Sequence, residues 1–324
     1  MSNKTFAARI RERYPEGLTG IFAIGGTRTT YILDQNRSAA DPGRINDFAA
    51  HGEYLQTRYS EYVKTFFELG GQNMIITASS YRGLHERGEE YASLIAYEVA
   101  RMSSDYFQKF YRENNIDPYF VGIDTYLLLP SESAPHKVAR QLMEFRQSWP
   151  YQEGHKKLIW EIASIPLFTF WKLFQEMDAN TRADLEQELA AQTNLDGVYN
   201  LFYRRFSRAI YGTDIPPAHF YLGTNKSGDL KWRSPMPIAL TGGEYLRMFY
   251  TPYPSLFTTR DTLQAILEDL AFNKRFHSLK TDYSGRYSSD LVQAEYERVM
   301  ELSSQPETTV GFSRKVEAQH ADPA

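Results

Sequence analysis

The chain is predicted to fold as an α/β protein: a central, mostly parallel sheet wrapped by helices. Two patterns carry that reading. Short apolar runs recur at 21–24, 74–77, 119–123, 158–162, 219–222 and 245–250, each of strand length and bounded by turn residues. Between them lie longer stretches whose apolar residues repeat at helical spacing. Parallel strands need crossovers of about a dozen residues or more, and helices supply them. Size agrees. A chain of 324 residues with 42% apolar content can bury a large core, read as a single domain over 1–302 with a polar tail, expected to be mobile, over 303–324.

The elements follow in order. Residues 5–14 read as a helix that stops before Pro15. The strand at 21–24 empties into Gly25-Gly26-Thr27-Arg28, and a second extended run is expected at 29–33. The polar segment 35–46, with Pro42 and Gly43, reads as a mobile loop. A helix at 47–69 ends on Gly70-Gly71 and carries Tyr59, Tyr62 and Phe66 on one face. The strand at 74–77 opens into a loop with Ser79, Ser80, Arg82 and Arg87. One long helix is expected over 86–113, bearing Tyr97, Tyr106, Phe107, Phe110 and Tyr111. After the strand at 119–123 come a helix at 135–148 and the strand at 158–162. Helices then fill 165–211, punctuated by cap-type clusters at 178–181 and 193–194. The strand at 219–222 runs into a loop with Thr224, Asn225 and Lys226. The last strand, 245–250, precedes helices at 259–276 and 289–302.

Composition excludes several classes. A net charge of -4 gives no basic footprint for nucleic acid. The absence of cysteine excludes disulfides, thiolate metal sites and a cysteine nucleophile. No apolar segment approaches the roughly 20 residues that span a bilayer, and the first residues lack a signal-peptide apolar region, so a cytoplasmic protein is expected. Aromatic content is high, with 23 Tyr and 20 Phe. An aromatic-rich core accounts for this, as does a ring-walled pocket, whose faces suit isoprenoid chains and carbocations.

In a parallel sheet of this kind, ligands bind at the carboxyl ends of the strands. Three loops there share one character: Gly25, Gly26, Thr27 and Arg28; then Ser79, Ser80, Arg82 and Arg87; then Lys226, Lys231 and Arg233. Glycine allows close backbone approach and exposed N–H groups. Thr27 offers a hydroxyl, and Arg28 a bidentate grip on phosphate oxygens. Cations and hydroxyls converging from three strand ends suit a diphosphate.

With these residues the chain resembles the cis-prenyltransferase superfamily. The likeness is strongest to the terpene-synthase-like branch of tuberculosinyl adenosine transferase and kolavelool synthase. It is carried by Phe-Ala-Ile-Gly-Gly-Thr-Arg at 22–28, Phe-Glu-Leu-Gly at 67–70, Arg87-Gly88, Gly-Ile-Asp-Thr at 122–125, Met-Phe-Tyr-Thr at 248–251 with Pro254, and Lys-Thr-Asp-Tyr-Ser at 280–284. The resemblance implies a prenyl tail held between the sheet and the helices at 47–69 and 86–113, with Tyr59, Tyr62, Phe66 and Tyr97 as walls. It also implies a homodimer and a prenyl diphosphate substrate, usually with Mg2+. Gly25, Gly26, Thr27 and Arg28 match the diphosphate loop, Ser79, Ser80 and Arg82 the second contact loop, and Lys226, Lys231 and Arg233 the arginines of a second diphosphate site. Two positions depart from the pattern: Gly25 stands where the family has a metal-serving aspartate, and His51 where the branch has a tyrosine. Asp34 is expected to supply the missing carboxylate, and His51 to act as base or hydrogen-bond donor, beside Arg28. The implied activity is that of a diterpene synthase or prenyl transferase, ionising a cyclic diterpenyl diphosphate and quenching the allylic cation with water or another nucleophile. A non-catalytic prenyl-diphosphate-binding partner and a chain-elongating enzyme are the alternatives. No arginine cluster directly follows the strand ending at Leu222, as elongation would require.

Overall fold

All strands of the central sheet run parallel. They are β1 (Thr19–Ala23), β2 (Asn73–Ser79), β3 (Ile116–Val121), β4 (Lys156–Ile162), β5 (Phe220–Thr224) and β6 (Arg247–Thr251), in the order β3-β4-β2-β1-β5-β6. The structure is a computed structural model describing residues 5–36, 45, 47–82, 88–224, 230, 232–241, 246–273 and 289–305, with backbone alone at 36, 88–91, 291 and 295.

Alternation along each strand builds two cores. Phe22, Met74, Ile76, Leu158, Trp160, Phe220 and Leu222 face one side, against α3 (Phe48–Glu68), α4 (Gly88–Ala100), α5 (Asp105–Asn114), α7 (Ala134–Ser148) and α12 (Arg260–Phe272). Ile21, Ala23, Ile75, Ile159 and Tyr221 face the other, against α10 (Leu195–Tyr211) and α11 (Pro235–Thr241). Phe22 sits at the centre of the first core, with ring contacts to Phe66 at 5.0 Å, Phe220 at 5.4 Å and Tyr62 at 5.6 Å.

Several local expectations hold. Asp178 caps α9 (Ala179–Ala190), its carboxylate accepting from the Thr181 N–H at 2.7 Å, and Asn194 caps α10 from the Gly197 N–H at 2.8 Å. Gly70, with φ 104, turns the chain out of α3. β3 differs: it begins at Ile116, three residues before its expected apolar run, and takes in Pro118. An edge strand tolerates proline, and β3 is at the sheet edge.

Others are corrected. The run at 29–33 is helical, not extended: α2 (Thr27–Tyr31) continues as a π-helical turn, Ile32–Asn36. Gly26, at φ 75, reverses the chain there, and the Thr30 hydroxyl donates to the Gly26 carbonyl at 3.0 Å. These local bonds override the β-branched composition. The helix expected over 86–113 is two helices, α4 and α5, separated by a 3-10 turn at Arg101–Ser103. The Ser103 hydroxyl donates to the Ala100 carbonyl at 3.0 Å, a side-chain bond that competes with helix continuation. Helix α11 went unforeseen; it opens on Pro235, and proline suits a first helical position. The final helix, α13 (Ser289–Ser303), reaches into the expected tail. The matches at 280–284 and Arg87 lie outside the described residues, as does most of the 35–46 loop. No helix among the described residues is long and apolar enough to cross a membrane.

Candidate functional site

The loop after β1 is fixed from the far end of the chain. The Gly25 N–H donates to Ser255 Oγ at 3.0 Å, and the Ser255 N–H donates to the Gly25 carbonyl at 3.1 Å. Ser255 Oγ is in turn hydrogen-bonded to Thr224 Oγ1 at the end of β5. This corrects the expectation that Gly25 offers its N–H to an anion: that donor is already spent. The first turn of α2, at Thr27 and Arg28, has backbone N–H groups that find no intrahelical acceptor. Gly25 has a different use. A Cβ there would lie 2.8 Å from Arg233 Nη1, so the Arg233 guanidinium rests on the first loop rather than at a separate second site. Lys226 and Lys231 lie outside the described residues.

Beside this loop a cavity of about 380 Å³ runs between α3, α4 and the sheet. Thr27, Arg28 and His51 line it together with Phe48, Leu55, Tyr59, Val99, Phe107 and Trp160. Of the four expected wall residues, Tyr59 lines the cavity. Tyr62 and Phe66 pack against Phe22 in solid core. Tyr97 faces outward, 57% exposed.

His51 is 8% exposed, and its Nε2 has no hydrogen-bond partner among the described residues. Its ring meets Tyr31 edge-on at 5.1 Å. Burial, then the charges of Arg101 and Arg28, hold its pKa below the ordinary value of 6.5, so the imidazole is neutral at pH 7. Asp34 stands apart from it. It lies exposed in the π-helical turn, outside the cavity lining, where its Oδ2 accepts from Tyr54 OH at 2.9 Å. Burial and that bond push the Tyr54 phenol up to about 12.

Arg101 is the cavity residue that sequence reasoning missed. The break between α4 and α5 turns its guanidinium onto Gly52, where a Cβ would lie 2.5 Å from Arg101 Cζ. Its Nη1 donates to Gln56 Oε1 at 3.2 Å, and Gln56 Nε2 donates to Ser104 Oγ at 3.2 Å. Nε is buried, 3.9 Å from Glu98 Oε2, with no hydrogen-bond acceptor among the described residues. Burial raises the pKa of Glu98, and Arg101 opposes the rise. The available signal was Gly52 itself, a glycine inside a long helix, which marks close approach by something else.

The second loop contributes differently from expectation. Ser79 Oγ is buried and bonded to Tyr126 OH at 3.1 Å. Ser80 and Arg82 are exposed, and Arg82 Nε donates to Tyr81 OH at 3.3 Å. None of the three lines the cavity.

No protein-family model and no curated protein sequence matches the chain. Its shape does have solved counterparts. Lavandulyl diphosphate synthase from Lavandula x intermedia, in complex with dimethylallyl diphosphate, superposes with a TM-score of 0.51 at 12% identity, over 80% of this chain and 96% of that one. A probable undecaprenyl diphosphate synthase from Campylobacter jejuni gives 0.48 at 12% identity, over 80% and 97%. The fold is that of the cis-prenyltransferases.

Proposed function

We propose that this chain is a prenyl-diphosphate enzyme of the terpene-synthase type: it ionises a cyclic diterpenyl diphosphate, releases diphosphate and lets water or another nucleophile quench the allylic cation. The observation that carries the reading is the continuity of the cavity, which joins the turn at Thr27 and Arg28 to an aromatic interior holding one buried, neutral imidazole.

Departure of diphosphate builds negative charge on the leaving group. Donors fixed in place beforehand stabilise that charge most; on this reading the N–H groups that open α2 and the Arg28 guanidinium supply them. The organic cation left behind needs a dry pocket with negative ring faces; Tyr59, Phe107 and Trp160 supply them. A neutral imidazole can accept the proton released when a nucleophile adds, and His51 Nε2 is available for it. The cavity volume lies at the lower end of the range for small-molecule sites, about 300–1,000 Å³.

Diphosphate release from geranylgeranyl, kolavenyl and tuberculosinyl diphosphates, with extraction and mass spectrometry of products, tests the reading. A terpene alcohol from a cyclic substrate supports it. Consumption of isopentenyl diphosphate would replace it with chain elongation. Tight binding without release would replace it with a non-catalytic partner.

A further inference from the structure

We infer that guanidinium groups, rather than a divalent cation, neutralise the bound diphosphate, and that Arg101 and Arg233, each seated on a glycine, join Arg28 in doing so. The inference rests on the prenyl-diphosphate reading above.

Gly25 and Gly52 do not have the left-handed backbone that demands glycine. Their lack of a side chain therefore serves space, not conformation. In each case a guanidinium fills that space. Arg233 Nη1 lies 2.8 Å from the Cβ position of Gly25, and Arg101 Cζ, Nε and Nη2 lie 2.5, 2.7 and 2.7 Å from that of Gly52. Two glycines thus hold two arginines, one at the loop and one inside the cavity.

The polar atoms of the cavity are incompletely used. Arg101 Nε and His51 Nε2 are both buried without hydrogen-bond partners among the described residues. A buried guanidinium N–H without an acceptor is costly, and a ligand oxygen removes that cost. Arg28 and Arg101 both act electrostatically on His51, so one imidazole lies in the field of both. A diphosphate at the α2 turn meets the same two charges.

Mg2+ prefers a shell of carboxylate, carbonyl, phosphate and water oxygens, and the described residues do not fit it. No group of three or more His, Asp or Glu among them could hold a metal ion. Gly25 brings no carboxylate, and the Arg233 guanidinium stands in its place. Asp34 is engaged by Tyr54, and Glu98 lies beside Arg101.

Calorimetric titration of the full chain with geranylgeranyl thiolodiphosphate, in Mg2+ and in EDTA, tests this without turnover. The expected affinities agree within about threefold, and Arg101→Met and Arg233→Met each weaken binding about tenfold or more in both buffers, the scale of a lost charge-assisted pair. Arg101→Lys, which keeps the charge but loses the fork, should fall between the wild type and Arg101→Met. Gly25→Asp, which pairs with Arg233, should weaken binding in EDTA. Wild-type binding at least about tenfold tighter with Mg2+ than with EDTA, a full tenth of the dissociation constant, overturns the inference and leaves the proposed function standing. Equal wild-type affinity for both arginine-to-methionine variants also overturns it. No binding in either buffer removes both.

Discussion

Replacing Glu161 by glutamine removes a titration that the fold has displaced. Glu161 is 1% exposed near the end of β4, on the α10–α11 side of the sheet. Its Oε1 accepts from the Met236 N–H at 2.9 Å and its Oε2 from Thr77 Oγ1 at 3.4 Å, and Thr77 Oγ1 is bonded to Ser234 Oγ. Burial pushes the carboxyl up from 4.5 to about 7, and these hydrogen bonds oppose the rise. Below pH 4.5 the folded and unfolded chains both hold the proton. Between 4.5 and about 7 the unfolded chain releases it while the folded chain keeps it, so stability falls as pH rises and the cost is complete above about 7. At about 1.4 kcal/mol for each tenfold change in proton affinity, the cost is on the order of 3 kcal/mol. Urea unfolding of wild type and Glu161→Gln from pH 4.5 to 8 measures it. The wild type should lose about that much relative to the variant, with the difference levelling above pH 7. Parallel pH profiles for the two proteins would refute the reasoning.

Three further outcomes follow from the geometry. Phe22→Ala removes the ring on which Tyr62, Phe66 and Phe220 converge; about 3–5 kcal/mol of stability should go, and a loss under 1 kcal/mol by urea unfolding would contradict the packing. His51→Gln should lower kcat about 10²- to 10⁴-fold with a smaller effect on KM. Because the His51 pKa is lowered in the free protein, the wild-type acid limb in kcat/KM should lie below pH 6.5 and vanish in the variant; a limb above 6.5 would exclude His51 as the group titrated. Gly52→Ala introduces the methyl that meets Arg101 at 2.5 Å. Diphosphate affinity should fall as far as in Arg101→Met, while the helix-interior alanine adds up to about 1 kcal/mol of intrinsic helix preference. Unchanged affinity by titration would show that the seat does not matter.

The sheet was legible because strand and helix differ in period, and period survives in a single sequence. The caps at Asp178 and Asn194 were legible because their chemistry is local. Helix α2 was not, since its thirteen-atom rings are closed by Gly26 and Thr30 against a β-branched composition. Arg101 carried no signal of its own in the sequence; its position comes from a break at Ser103 and from a glycine in another helix. The aromatic face of α3 was visible, but a face does not tell where opposing atoms are missing. Tyr59 borders the cavity while Tyr62 and Phe66, on the same face, meet Phe22 and solid core. Asp34 shows the same limit: spacing placed a carboxylate near the loop, while the π-helical turn carries it outside the cavity, to the Tyr54 hydroxyl.

The reciprocal bonds between Gly25 and Ser255 span 230 positions, and that distance sets an order of construction. A ribosome delivers the β1 loop long before the serine that pins it. Until residue 255 emerges, the nascent chain can hold every strand of the sheet, β1 through β6, yet the loop after β1 stays untied. Since domains form as units during synthesis, that loop is tied only after the last two strands, β5 and β6, have been made. Translation arrested just short of that serine would yield a scaffold that collapses around its rings yet leaves the loop after β1 unpinned.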